Sequence, residues 1–255
     1  MPLDLATLSA ERPQNTFHYF PSIGSTMTEA ARLLGAGAGH GTVILADEQT
    51  AGMGRFGRQW ISEQEVGIYT SIILNLPLAP PDLPIASLLI GLATAEAIEN
   101  ASQLTCDLRW PNDVLIDEAK VAGVLPHLVN NSIIAGIGIN VNNSAFATDL
   151  RTPATSLRLA SRGRLHSREH VLIELLQSID NHVDLLATRG RDSILRSFSA
   201  ASSYVRDRRV IVEESGIHAV TSGLDEQGFL LVRCATGEVV RISSGGIRPD
   251  WGTEA

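Results

Sequence analysis

The chain has 255 residues, 44% hydrophobic and 19% charged, a composition that excludes a disordered chain and suits a globular core needing no disulfide staples. A net charge of −8 argues against a protein built mainly to grip nucleic acid. Cys106 and Cys234 are expected to be free, buried thiols, and residues 1–16 lack the apolar run of a signal peptide, so a cytoplasmic location without membrane association is expected.

After a frayed start, residues 16–21 are predicted to be extended. Thr26-Met27-Thr28-Glu29 has the form of a capping box and predicts a helix over 26–34, ended by the glycines between Gly35 and Gly41. A strand over 42–46, a long Gly/Arg loop over 47–65 and a second strand over 67–75 follow, then a proline-rich connection over 77–84. Residues 85–101 read as a helix apolar on most faces and therefore buried. Its most apolar stretch, 86–95, contains Ser87 and Thr94 and stops at Glu96, too short and interrupted to span a bilayer. Strands are predicted over 105–110, 120–129 and 132–141, and helices over 154–159, 168–186 and 192–199. From 205 to 249 the pattern becomes short strands separated by Ser215-Gly216, Asp225-Glu226-Gln227-Gly228 and Thr236-Gly237, the mark of a small antiparallel barrel. The boundary falls between Ser199 and Tyr204, giving a main unit of 1–200 and a small one of 201–255.

Three segments carry chemistry. Gly52-Met53-Gly54-Arg55-Phe56-Gly57 matches G-x-G-x-x-G in form only, because it runs on through Arg58-Gln59-Trp60 toward another strand and no helix follows to hold a pyrophosphate. There is no Walker lysine and no kinase H-R-D or D-F-G segment. What remains is a loop with two arginines three apart, whose glycines let the backbone approach a ligand; taken alone, an ordinary solvated loop fits as well. Arg109-Trp110-Pro111-Asn112-Asp113 ends a strand with turn-forming residues, and Lys120 begins the next. Nineteen of the twenty basic residues are Arg, so the solitary Lys120 points to a place where arginine would not serve. A turn between these strands brings Asp113 beside Lys120, which could then stabilise charge developing on a carboxylate or phosphoryl oxygen, unless the segment is merely a hairpin with a surface lysine. In Gly136-Ile137-Gly138-Ile139-Asn140, alternating glycines indicate close approach by a ligand or by another backbone, and Asn140 offers both donor and acceptor.

Taken together, Gly24-Ser25-Thr26, Glu48-Gln49-Thr50-Ala51-Gly52, Gly54-Arg55-Phe56-Gly57-Arg58-x-Trp60, Trp110-Pro111-Asn112-Asp113, Lys120-x-x-Gly123 and Gly136-Ile137-Gly138-Ile139-Asn140 resemble, in order and spacing, the biotin protein ligase family. The resemblance runs from about Phe17 to Pro249. It implies an α/β fold with a mixed-sheet catalytic domain of the biotin/lipoate ligase type, followed by an SH3-like barrel. It further implies an ATP-dependent ligase that makes biotinyl-5′-AMP, with Mg2+ accompanying ATP, and transfers biotin to a lysine of a biotin carboxyl carrier protein such as an acetyl-CoA carboxylase subunit.

The same resemblance assigns residues. Ser25, Thr26 and Gln49 match biotin contacts. Gly52, Met53, Gly54 and Arg55 match the loop that folds over biotin and adenylate, with Arg58 ordering the loop or binding phosphate. Trp60, Gly123 and Gly138 match the ligand site. Lys120 matches the essential lysine, Asp113 would orient Lys120 or the substrates, and Asn112 and Asn140 would lie near the adenylate; Lys120, Arg55 and Asp113 form the expected catalytic set. No resident metal site is expected. The family commonly has Arg at Met53 and Lys at Arg109, and losing the cation at 53 predicts a weaker lid. The match begins near residue 17, which predicts a ligase without specific DNA binding, as a monomer or homodimer. A lipoate ligase or octanoyltransferase of the same fold is the alternative; those families carry different signatures, and neither cysteine has an activating neighbour.

Overall fold

The structure, a computed structural model, describes residues 1–79 and 82–252. The first element is a helix, α1 (Leu5–Glu11), where the sequence predicts a frayed start. Asp4 makes the difference: its carboxylate accepts hydrogen bonds from the amides of Ala6 and Thr7, and Leu8 is fully buried.

β1 (Thr16–Phe20), β2 (Thr42–Ala46) and β3 (Ile68–Leu74) form one side of a seven-stranded sheet. β4 (Asp107–Arg109), β5 (Asp113–Ile116), β6 (Ala119–Val129) and β7 (Ser132–Ile139) complete it in the order β1-β2-β3-β7-β6-β5-β4. The β1–β2 pair is parallel and every other pair antiparallel, so the sheet is mixed as expected. β5 has no counterpart among the predicted strands, because its four residues follow directly on the Trp110-Pro111-Asn112 turn and read as part of it.

Alternate residues of β2, β3 and β7 feed two cores, which explains their unbroken apolar runs. Ile44, Ile73 and Ile134 face α2 (Thr26–Gly35), while Val43, Leu45, Ile72 and Ile133 face the opposite side. That second side is covered by α3 (Leu83–Ser102), which packs on α5 (Arg168–Arg189) and α6 (Arg191–Ala201). Residues 80–81 of the proline-rich connection lie outside the described residues, and its last residues, Leu83 and Pro84, already belong to α3. With 20 residues, α3 is longer than its most apolar stretch and would meet a membrane span in length and composition alone. Its setting excludes that use here: it lies inside the protein, Thr94 Oγ1 donates to the Ile90 carbonyl, and Ser87 Oγ donates to the carbonyl of Pro111. α4 is a single turn (Leu157–Ala160), shorter than predicted.

The capping box is also corrected. Ser25, not Thr26, is the N-cap of α2, and its hydroxyl makes no capping bond. Glu29 is drawn into a bidentate pair with Arg32 instead of folding back.

The SH3-like unit comprises β8 (Arg206–Val212), β9 (His218–Leu224), β10 (Leu230–Cys234), β11 (Val239–Ile242) and β12 (Ile247–Pro249), an antiparallel sheet in the order β11-β10-β9-β8-β12. One apolar core runs through both sheets, taking in Val210, Leu230 and Val232 together with Leu88 of α3. Trp110 Nε1 donates to the Gly228 carbonyl at 3.0 Å. At the β5–β6 hairpin, Glu118 accepts from the Tyr204 hydroxyl and pairs with Arg208 at 2.5 Å. Burial, reinforced by Glu118, pushes the Tyr204 hydroxyl up to about 12. Both cysteines are free, as expected, though partly rather than fully buried.

Beneath the start of the long loop lies a buried ion pair. Arg168 Nη1 donates to Asp47 Oδ1 at 2.8 Å and to the Gly67 carbonyl at 3.2 Å, with the two side chains 4% and 1% exposed. The Tyr19 hydroxyl also donates to Asp47. Removing one partner strands a buried charge, so Asp47→Ala is expected to lower the unfolding free energy by about 3–5 kcal/mol in a urea titration. A loss under about 1 kcal/mol would show that the pair does not hold the loop root.

Candidate active site

α2 packs on the sheet around Ile44, Ile73 and Ile134, with Met27 at its start reaching over Gly136. Where β3, β7 and β6 run on past it, the same face is open, and a cavity of about 300 Å³ lies between that face, the 47–65 loop and the edge of the C-terminal sheet.

The floor is made by glycines. Gly123 of β6 pairs with Gly138 of β7, so two neighbouring strands present bare backbone side by side. The Trp60 indole lies against this patch: a Cβ on Gly138 would come within 2.4 Å of Trp60 Cε2, and one on Gly123 within 3.1 Å of Cζ3. Gly136 gives Met27 the same room, since a Cβ at that position would stand only 2.6 Å from the Met27 sulfur. Trp60 Nε1 is buried without a hydrogen-bond partner.

One end of the cavity is polar but tightly bonded. Gln49 Oε1 accepts from the Thr26 amide at 2.9 Å and its hydroxyl at 3.0 Å, and Gln49 Nε2 donates to Ser62 Oγ at 3.1 Å. Ser71 Oγ donates to Thr26 Oγ1 at 2.8 Å. A side chain from the loop thus does the capping work at the start of α2, and Ser25, whose hydroxyl makes no capping bond, lines the cavity.

The loop is a finger. Trp60 N donates to the Gly52 carbonyl at 2.9 Å, Gly54 N to the Arg58 carbonyl at 2.7 Å, and a tight turn over Arg55–Gly57 forms the tip. Gly52 matters for packing within the finger, since a Cβ there would sit 2.7 Å from the Trp60 carbonyl. Phe56 occupies the tip at a φ of 58°, with the Arg55 and Arg58 guanidinium groups 4.9 and 5.8 Å from its ring centre.

The opposite end is cationic. Lys120 Nζ lies 2.5 Å from Asp113 Oδ1, and Arg109 Nη2 lies 2.6 Å from Asp113 Oδ2. A bulge between Val114 and Leu115 sets this up: Asp113 stands opposite Gly123, and Lys120 reaches back across the space that Gly123 leaves empty. Burial alone would raise the Asp113 carboxyl, but Lys120 and Arg109 outweigh it and hold the group below the usual carboxylate range. Folding therefore favours the ionised form, and its contribution is full above that range and lost on acidification through the lowered value. Asn140 Nδ2 donates to the carbonyls of Thr155 at 3.0 Å and Lys120 at 3.4 Å, fixing the backbone that carries the ammonium. Arg55 Nη1 donates to the Gly245 carbonyl at 2.7 Å and to Asn112 Oδ1 at 3.3 Å. Its burial lowers the guanidinium from its ordinary value, opposed by Asp113, Glu214 and Glu213.

The cavity thus gathers Ser25, Thr26, Gln49, Met53, Gly54, Arg55, Arg58, Trp60, Asn112, Asp113, Lys120, Gly123, Gly138 and Asn140, while Gly52 lines an adjoining shallow hollow with Met53. Sequence reasoning missed Arg151, Glu213 and Gly246, which complete the cationic end. They lie in irregular or turn segments without periodicity, and only the fold brings them together.

Residues 19–144 match the biotin/lipoate A/B protein ligase family, and residues 207–247 match the biotin protein ligase C-terminal domain. The chain is 34% identical to the bifunctional ligase/repressor BirA of Bacillus spizizenii over 227 residues, 86% of this chain and 70% of that protein. It is 29% identical to the biotin–[acetyl-CoA-carboxylase] ligase of Mycobacterium tuberculosis, over 88% of this chain and 85% of the relative. The structure of the Aquifex aeolicus biotin protein ligase in complex with biotin and ATP superposes with a TM-score of 0.79 at 30% identity, covering 91% of this chain and 97% of that one. By sequence over most of its length, and by fold, the chain belongs to the biotin protein ligase family.

Proposed function

We propose that this cavity joins biotin to AMP and then passes biotin to a lysine of a biotin carboxyl carrier protein. The observation that carries the reading is a single slot, polar at one end and glycine-floored along its length, opening onto Lys120, Arg55, Arg58 and Arg151. Biotin has the matching sequence of parts: a ureido ring with donors and an acceptor, an apolar thioether and chain, and a terminal carboxylate. Ser25, Thr26 and Gln49 would meet the ureido ring, Trp60 would pack on the apolar portion over Gly123 and Gly138, and the carboxylate would reach Lys120. Asn112 holds Arg55, Asn140 holds Lys120, and Met53 and Gly54 border the opening.

In the first step a biotin carboxylate oxygen bonds to the α-phosphorus of ATP, the bond to the bridging oxygen breaks, and pyrophosphate leaves. Two anions must approach, and charge builds on the equatorial oxygens of phosphorus. Lys120 and Arg55 offset both effects from fixed positions, with Asp113 holding the ammonium toward the reacting atoms. In the second step the carrier's lysine amine attacks the acyl carbon, AMP departs and the amine loses a proton. Nothing in this sequence needs a covalent nucleophile from the protein.

Magnesium suits the site as an ion carried by the nucleotide. Among the described residues no group of three or more His, Cys, Asp or Glu could hold a metal, and Asp113 and Glu213 are already paired with cations. Such an ion, held chiefly by phosphate and water, supplies charge neutralisation on ATP.

Pyrophosphate exchange into ATP, run in parallel with biotin, lipoate and octanoate, tests the reading directly; exchange that does not depend on biotin would end it. Lys120→Met is expected to fold and to lose about a hundredfold or more of that exchange. Near-normal activity would remove Lys120 from its role. Gly138→Ala forces the indole out of its seat and is expected to raise the KM for biotin about tenfold with little effect on the KM for ATP. Met53→Arg should tighten biotin binding and slow escape of the adenylate, both measurable by stopped-flow; no change in either would show that Met53 does not weaken the lid.

A further inference from the structure

The cationic end of the cavity contains an acid where a triphosphate would have to lie. Glu213 follows β8 directly, and its side chain is only 10% exposed. Its two oxygens are divided between two arginines: Oε2 is 3.3 Å from Arg58 Nη2 and Oε1 is 3.6 Å from Arg151 Nε. The carboxylate rests over Gly246, where a Cβ would stand 3.1 Å from Oε2. The neighbouring carbonyl of Gly245 takes Arg55. Arginines from two separate loops are therefore tied to adjoining positions of the C-terminal sheet.

The sign is opposite to what affinity for a polyanion would select, since a carboxylate in a phosphate site repels the ligand. The other acid of the cavity, Asp113, is matched by Arg109 and Lys120 from its own part of the sheet. Glu213 instead holds two side chains that are each 51% exposed and would otherwise swing free in water, repelling one another and Arg55.

Resting on the function proposed above, we infer that Glu213 is a positioning residue that stands in for phosphate. It holds Arg58 and Arg151 at the mouth before nucleotide arrives, hands them to the triphosphate on binding, and reclaims them to eject pyrophosphate. It does not touch the reacting atoms. Its cost is weaker nucleotide binding, and its gain is faster release of the first product.

The test compares the wild type with Glu213→Gln, measuring the KM for ATP, the KM for biotin, kcat for adenylation and the Kd of magnesium pyrophosphate. Loss of one partly solvated like charge should lower the KM for ATP and the Kd of pyrophosphate about five- to tenfold, leave the KM for biotin unchanged and reduce kcat. An ATP KM that is unchanged or higher would overturn the inference. The gain should vanish when Arg58 and Arg151 are both changed to Gln, and its persistence there would also overturn it. Arg151→Gln alone provides an independent arm that leaves Glu213 intact: it should raise the KM for ATP and not that for biotin, and an unchanged KM for ATP would count against the handover. Wild-type exchange that fails to depend on biotin sinks the proposed function. Wild-type exchange that depends on biotin, beside an unaltered ATP KM in E213Q, sinks this inference alone.

Discussion

Four cations must share one end of a partly enclosed cavity, and their mutual repulsion is the constraint around which this molecule is arranged. Each is restrained by a partner on a different element. Asp113 takes Lys120, the Gly245 carbonyl takes Arg55, and Glu213 takes Arg58 and Arg151. The charges are thereby in place before any anion enters, so little reorganisation is needed when one does. Both sheets contribute to this restraint, and one apolar core runs through both.

The fold supplies the rest of the site by leaving something out. A helix covers one half of a sheet face and stops, and beyond it β7 carries glycine at 138 where its covered half carries Ile134, beside Gly123 of β6. Polar side chains at the far end bond to one another, with Gln49 taking over the capping of α2. Such a network keeps donors and acceptors oriented without collapsing the cavity. The same economy is seen at the β5–β6 hairpin, where one bulge and one missing side chain let Lys120 reach Asp113.

Much of this was legible from the residues. Strongly patterned segments such as 42–46, 120–129 and 168–186 lie in the elements predicted for them, because burial of alternate residues or of one helical face is written directly in the order of side chains. The proximity of Asp113 and Lys120 followed from a short turn between strands. Failures came where a single polar contact decided the outcome. Asp4 nucleates a helix that has too few apolar residues to announce itself, and Gln49, 23 positions from Thr26, displaces the local capping box with a tertiary one. Glu213 and Gly246 reach the cavity only through the packing of the C-terminal sheet against the main unit, and Arg151 through an irregular segment bridged to β6 at Ala154, relations that no local pattern encodes.

The seat of Trp60 on Gly123 and Gly138 carries a consequence for descent. An indole that fills the volume of two absent side chains binds three positions, distant in the chain, into one inheritable unit. A side chain at 138 would drive into the indole, whereas one at 123 would press on it more lightly, so position 138 can be enlarged only if the ring moves or shrinks. Change at 138 should therefore go together with change at 60, while 123 has more latitude.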